Sequence, residues 1–156
     1  MTTTSDAAPH RQWAVELFNL VWTLLESPNR TAADSERMLH AAHASRYHWG
    51  VVGTGKQWAI GEWQISRVYA VLNRAEPALY HGQRALELAQ EYSIGPFYVG
   101  YGYEALARAH AARGDRAESR RFLESAREQL QAVTDEEERR MLGDDLAAVA
   151  AMQGGN

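Results

Sequence analysis

Two stretches of this 156-residue sequence decide the fold: GEWQISRVYAVLNRAEPALYHGQRALELA at residues 61–89 and GYEALARAHAARGDRAESRRFLESAREQL at residues 102–130. Each contains a predicted helix, a tight turn and a second predicted helix with small residues spaced for close packing. The turns fall at Asn73-Arg74 and at Gly114-Asp115. Such a hairpin cannot bury its apolar face alone, so consecutive hairpins stack on one another. The sequence therefore predicts an all-α protein of stacked helix-turn-helix pairs.

Apolar residues at helical spacing extend this pattern in both directions, and no segment alternates like a strand. Proline and glycine divide the chain, since proline disfavours helix in the residue before it. We predict seven helices, mostly antiparallel, at residues 11–26, 31–49, 55–72, 75–92, 96–113, 115–132 and 134–152.

Helix ends carry their own signals. Thr31 with Asp34, Asp115 with Glu118 and Thr134 with Glu137 have the spacing of capping boxes, in which each side chain binds the backbone N–H of the other residue. Asn73 is predicted to end helix 3 in the left-handed conformation.

Composition limits the class of protein. Hydrophobic residues make up 46% and charged residues 23%, as in globular proteins. We expect a disordered tail at residues 1–9, a single helical domain at 10–153, and no membrane-spanning segment. The chain has no cysteine, which excludes disulfides and fits a cytoplasmic location. With a net charge of −4 and no basic face, nucleic acid is not an expected partner.

The two hairpins resemble units of the tetratricopeptide repeat family. That family has small residues where its helices cross, an aromatic residue one turn later and glycine near the turn. The matching positions, 41 residues apart in the two hairpins, are Ser66, Tyr69, Asn73, Ala78 and Ala85, and Ala107, His110, Gly114, Ser119 and Ala126.

The resemblance implies an α-solenoid and a function. Helices 1 and 2 resemble a degenerate hairpin, and helix 7 resembles a capping helix. The first helix of each pair would line a concave, aromatic groove that binds a peptide or a protein partner. Helix 1 is apolar over much of its circumference, so it is either a homodimer interface or a fully buried helix.

A row of polar rings on helix 2 is a candidate site. His40, His43 and Tyr47 fall on one helical face. The two histidines are three residues apart, a spacing at which both imidazoles can approach one divalent metal ion. The alternative is that they are half-exposed or hydrogen-bonded polar side chains. We predict no cofactor, with His40 and His43 as the candidate ligands if a metal binds.

Glu62 is a carboxylate on a largely apolar helical face, which is costly unless the charge is paired. Its partner is expected on another helix, with His43 and Arg84 as candidates. One interpretation is a buried structural salt bridge. The other is a carboxylate with a perturbed pKa in a cleft, where Glu62 or His43 would act as a general base.

Helix 5 adds Tyr101, Glu104 and Arg108, which share one face. Glu104 and Glu62 both lie on the first helix of a pair and are predicted to converge across the groove. The combined candidate binding pocket consists of His40, His43, Tyr47, Glu62, His81, Tyr101 and Glu104.

No sequence motif names a reaction. The chain contains no G-x-S-x-G, H-E-x-x-H or E-x-x-H pattern and no G-x-G-x-x-G after a strand. Two functions therefore stay open. The first is an interaction module for a peptide or protein partner. The second is a small helical enzyme, or a ligand- or metal-binding protein, that uses the His/Glu/Tyr pocket on a small molecule.

Overall fold

The structure is a computed structural model that describes residues 4–154, with side chains from residue 7 to 153. Within these residues it contains seven α-helices and no strand, which confirms the predicted all-α class. The helices are α1 (Thr4–Glu26), α2 (Ala32–Val52), α3 (Gly55–Val71), α4 (Ala75–Glu91), α5 (Pro96–Arg113), α6 (Arg116–Ala132) and α7 (Glu136–Gly154). No helix in the described part of the chain has the length and apolarity that crossing a membrane requires.

The predicted boundaries of α3 to α6 agree with the structure to within about a residue, whereas the ends of the chain differ. Helix α1 starts at Thr4 rather than at Arg11, so residues 4–9 of the expected tail are helical, and residues 1–3 lie outside the described residues. Helix α2 continues to Val52, three residues past its predicted end.

Polar side chains cap several of the helix starts. Thr31 and Asp34 form the predicted capping box, and the Asp115 carboxylate accepts from the Glu118 amide. The predicted box of Thr134 and Glu137 is wrong by one residue. The carboxylate of Asp135 accepts the Glu138 amide at 2.9 Å, and an aspartate in this place caps a helix by itself.

The two central hairpins have the same turn. Asn73 and Gly114, 41 residues apart, both adopt the left-handed conformation, with φ of 59° and 83°. After each, the next amide donates back to the residue five before it, from Arg74 to Tyr69 at 2.8 Å and from Asp115 to His110 at 2.9 Å. This pattern supplies hydrogen-bond donors to backbone carbonyls in the last turn of each helix.

A hydrogen bond also repeats where the helices of each hairpin cross. Ser66 Oγ donates to the carbonyl of Ala78, and Ser119 Oγ donates to the carbonyl of Ala107, each at 2.8 Å. The serine is on the first helix of one hairpin and on the second helix of the other. Because all four residues are small and buried, the backbones can approach closely.

The helices form two layers. Consecutive helices pack together along the chain, and α5 also packs on both α3 and α7. Helix α1 joins that row through the Trp22 and Trp63 rings, whose centroids are 5.7 Å apart. Helices α1, α3, α5 and α7 thus line one face, with α2, α4 and α6 behind them. One apolar core lies between α1, α2 and α3, and another lies between α5, α6 and α7.

The two central hairpins meet where Gly102 of α5 faces Leu86 of α4. A Cβ atom at Gly102 would lie 2.7 Å from the Leu86 Cα atom and 2.8 Å from its Cβ atom. Only glycine fits at such a distance from a neighbouring backbone. This contact sets how closely the second hairpin packs on the first.

Candidate functional site

An apolar cleft of about 360 Å³ opens on the face lined by α1, α3, α5 and α7. Its floor is made of small residues, Ala59, Ala85 and Gly102. Its walls are mostly aromatic: Phe18, Trp22, Ile60, Trp63, Phe97, Tyr98, Tyr101 and Met141, with Asp145 beside Tyr101. Large rings around a floor that has almost no side chains leave a space that the chain itself does not fill.

A row of equivalent residues crosses this face from one end to the other. Trp22, Trp63, Glu104 and Asp145 follow one another at intervals of 41 residues, on α1, α3, α5 and α7. The two tryptophan rings are in contact, and Trp63 Nε1 donates to Glu104 Oε2 at 2.8 Å. The 41-residue unit therefore extends beyond the two hairpins, to the first and last helices.

A buried ionic cluster lies next to the cleft. Glu104 is completely buried, and its Oε1 atom accepts from Arg108 Nε at 2.7 Å and lies 3.7 Å from Arg67 Nη1. Arg67 and Arg108 are themselves 41 residues apart. Burial and the charge of Arg108 lower the pKa of Arg67. The single carboxylate of Glu104 thus serves two guanidinium groups and an indole.

Asp145 and Tyr101 form a second polar contact at the cleft. The Tyr101 hydroxyl donates to Asp145 Oδ2 at 2.6 Å. Burial, together with this hydrogen bond, raises the pKa of Tyr101, so the phenol stays protonated. The carboxylate and the hydroxyl satisfy each other.

Glu62 belongs to a different network, formed with the second layer of helices. Its Oε1 atom accepts from Arg46 Nε of α2 at 3.1 Å, and its Oε2 atom lies 2.6 Å from His81 Nδ1 of α4. His81 stacks on Tyr69, whose hydroxyl lies 2.9 Å from His43 Nε2. Glu62 pairs with other helices, as predicted, but its partners are Arg46 and His81 rather than His43 or Arg84. The candidate Arg84 pairs with Glu87 instead.

The pKa values in this network reflect competing effects. Burial alone would raise the pKa of Glu62, but the hydrogen bonds and charges of His81 and Arg46 outweigh it, so the pKa is lowered. Burial, followed by the proximity of His81, lowers the pKa of His43. The folded state therefore favours an ionised Glu62 and a neutral His43.

In the second hairpin, rings occupy the positions equivalent to those of the Glu62 network. The residues 41 positions after Glu62, Tyr69 and His81 are Tyr103, His110 and Phe122. Phe122 stacks on both Tyr103 and His110, at centroid distances of 6.3 and 5.5 Å. The Glu62–His81 contact thus occupies a position where ring packing joins the helices of a hairpin, which favours a structural role for it.

The seven residues predicted to form one pocket lie in three places. His43, Glu62 and His81 belong to the network between α2, α3 and α4. Tyr101 lines the cleft, with Glu104 beside it. The side chains of His40 and Tyr47 are exposed on α2, where His40 lies 3.8 Å from Glu36. The predicted convergence of Glu62 and Glu104 is wrong. Glu62 is bonded to residues of α2 and α4, whereas Glu104 is bonded to residues of α3 and α5.

The candidate metal ligands His40 and His43 lie in different surroundings, with His40 beside Glu36 and His43 beside Tyr69. In the described part of the chain, no group of three or more histidine, cysteine, aspartate or glutamate side chains is placed to hold a metal ion. The rings of His43 and His81 approach to a centroid distance of 5.4 Å, but His43 directs Nε2 to Tyr69 and His81 directs Nδ1 to Glu62.

The lowered pKa of Glu62 leads to a testable pH dependence. A carboxyl group whose pKa is lower in the folded than in the unfolded state stabilises the fold above its unfolded pKa, near 4.5. We expect Glu62→Gln to lower the free energy of unfolding by about 1–3 kcal/mol at pH 7, since charge-assisted hydrogen bonds are lost. Urea unfolding at pH 7 and at decreasing pH should show this deficit shrinking as the pH falls below 4.5.

The matched control is Glu87→Gln, which removes an exposed partner of Arg84 and should change stability little at any pH. A deficit for Glu62→Gln that is the same at pH 7 and pH 3.5 would contradict the assignment of an ionised Glu62.

Comparison with known proteins adds no relative: no family model, no curated protein and no solved structure matches this chain.

Proposed function

We propose that this protein is a binding module that holds a bulky apolar side chain of a peptide or protein partner in the cleft of its concave face. The observation that carries the proposal is the cleft itself. Its volume of about 360 Å³ is at the lower end of the range for ligand pockets, roughly 300–1,000 Å³. Aromatic walls with few polar groups suit an apolar group that is removed from water on binding.

The repeat architecture supports this proposal. Four equivalent helices contribute to one face, as in helical repeat proteins whose stacked units form extended binding surfaces. We infer on this basis a relation to the tetratricopeptide repeat family, with a unit of 41 residues in place of about 34. A module of this size offers room for one anchoring side chain and its neighbours.

The alternative of a small enzyme built on Glu62 and His43 has less support. These two residues take part in packing between α2, α3 and α4, and neither side chain is among those that line the cleft. The polar groups that do line the cleft, Tyr101 and Asp145, are bonded to each other.

Blocking the cleft tests the proposal. Met141 stands at the rim and is 45% exposed, so Met141→Trp should fill the cleft without disturbing the core. Val15→Trp is the control, because Val15 is 43% exposed on α1 but is not part of the cleft. Peptides would be selected from a random display library on the unaltered protein, and their dissociation constants measured on both variants.

We expect the selected peptides to share a bulky apolar residue and to bind Met141→Trp at least about tenfold more weakly, since one buried large side chain contributes about 1.5–3 kcal/mol. Binding to Val15→Trp should be unchanged. Peptides that bind both variants equally well would place the binding surface elsewhere and overturn the proposal.

A further inference from the structure

Three nitrogen atoms beside the cleft have no acceptor. Arg67 Nε, Arg67 Nη1 and Arg108 Nη2 are buried and make no hydrogen bond within the described part of the chain. The Arg108 side chain is 9% exposed. A buried N–H group on a charged side chain is costly without an acceptor. The chain therefore supplies more donors here than it can satisfy.

The two guanidinium groups are not compensated equally. Arg108 holds Glu104 at 2.7 Å, whereas Arg67 is 3.7 Å from the same carboxylate oxygen. Asp145, the other acidic group nearby, accepts the Tyr101 hydroxyl. Among the described residues, Glu104 is the only carboxylate within 4 Å of Arg67. Arg67 is thus the cation with the weakest partner.

Arg67 is also the less buried of the two arginines, and it lies beside the cleft on α3. It follows the cleft residue Trp63 by one helical turn, about 6 Å along the axis of α3. Its side chain retains 21% exposure. The charges of Asp145 and Tyr101, which both line the cleft, act on it as well.

We propose that the partner segment carries an acidic side chain two residues from its apolar anchor, and that Arg67 binds this carboxylate. The inference rests on the proposed function and names the chemistry of its partner. In an extended peptide, residues two apart project to the same side at a distance of about 6–7 Å, which matches the step from Trp63 to Arg67. A guanidinium group prefers a carboxylate because the hydrogen bonds are charge-assisted and often bidentate.

Short capped peptides test the spacing and the charge. The probes are acetyl-Gly-Phe-Gly-Glu-Gly-amide and its reverse order, acetyl-Gly-Glu-Gly-Phe-Gly-amide, so that both directions of binding are tested. For each order, matched peptides replace Glu with Gln, or Phe with Ala. Dissociation constants come from NMR titration of the isotope-labelled full chain. In one order, we expect the Glu peptide to bind about tenfold more tightly than the Gln peptide.

Two variants assign that preference to one residue. Arg67→Met keeps an unbranched apolar side chain and removes the charge, so the Glu and Gln peptides should bind it equally. Arg84→Met removes an exposed arginine of α4 that pairs with Glu87, and should keep the tenfold preference. Thermal unfolding of both variants checks that they are folded, and the comparison of peptides on the unaltered protein needs no variant.

The outcomes are distinct. If the Glu and Gln peptides bind equally while the Ala peptides do not bind, a neutral acceptor or water satisfies Arg67, and the inference fails although the proposed function stands. If Phe→Ala has no effect, or if no peptide binds, the apolar anchor is wrong and both fail. A preference for Glu that persists in Arg67→Met would also overturn the inference.

Discussion

Glu104→Ala is expected to lower the free energy of unfolding by about 3–5 kcal/mol, the largest loss that we predict from a single change. The substitution removes the one carboxylate shared by Arg67 and Arg108 and also the acceptor of the Trp63 indole. An uncompensated buried charge costs more than the salt bridge contributed. Urea unfolding followed by circular dichroism at pH 7 measures the change.

Two companions separate this effect from a general sensitivity to mutation. Glu87→Ala removes an exposed carboxylate that pairs with Arg84, and should leave stability almost unchanged. The double variant Glu104→Met/Arg108→Met removes one charge of each sign from the cluster. It should lose less stability than the sum of the losses of Glu104→Met and Arg108→Met measured singly. Strict additivity would contradict a coupled ionic cluster.

Gly102→Ala is expected to destabilise the protein by about 1–3 kcal/mol, the usual range for an added buried carbon that must displace its neighbours. The new Cβ atom would meet the backbone of Leu86, which cannot rotate away as a side chain can. Helices α4 and α5 would have to separate, and the floor of the cleft would shift with them.

The control for this substitution is a glycine whose replacement by alanine is expected to stabilise the protein. A Cβ atom at Gly143 of α7 would meet only Leu130 Cδ2, at an ordinary 3.9 Å. Gly143→Ala should therefore stabilise the protein by about 0.5–1 kcal/mol, the usual advantage of alanine over glycine inside a helix. Thermal and urea unfolding of Gly102→Ala and Gly143→Ala measure the two changes in stability. A stabilised Gly102→Ala variant would show that the contact with Leu86 is not close.

The sequence was sufficient to predict the helices and the way they pair, because the signals for both are local. Asn73 and Gly114 end their helices for a backbone reason that holds in any fold. The same local rules allow small errors, as at the start of α7, where Thr134 and Asp135 are both competent caps and the structure uses Asp135.

The candidate site was less predictable, because helical faces do not show which layer a helix joins. Glu62 was correctly expected to pair across helices, yet its partners depend on α2 and α4 lying behind α3. One signal was available in the sequence. The interval of 41 residues that relates the two hairpins also relates Trp22 to Trp63, and Arg67 to Arg108.

The row of Trp22, Trp63, Glu104 and Asp145 makes the two ends of the face lined by α1, α3, α5 and α7 chemically different. If all four helices carried the same residue, the row would present the same side chains from either end. Here the row is aromatic at its amino-terminal end and acidic at its carboxyl-terminal end. A segment lying across the cleft would meet the rings of Trp22 and Trp63 on one side and the Tyr101–Asp145 pair on the other, so its two orientations would not be equivalent, and specificity is a difference between such alternatives. The helices thus recur at intervals of about 41 residues, while the side chains that they carry differ from one end of the row to the other.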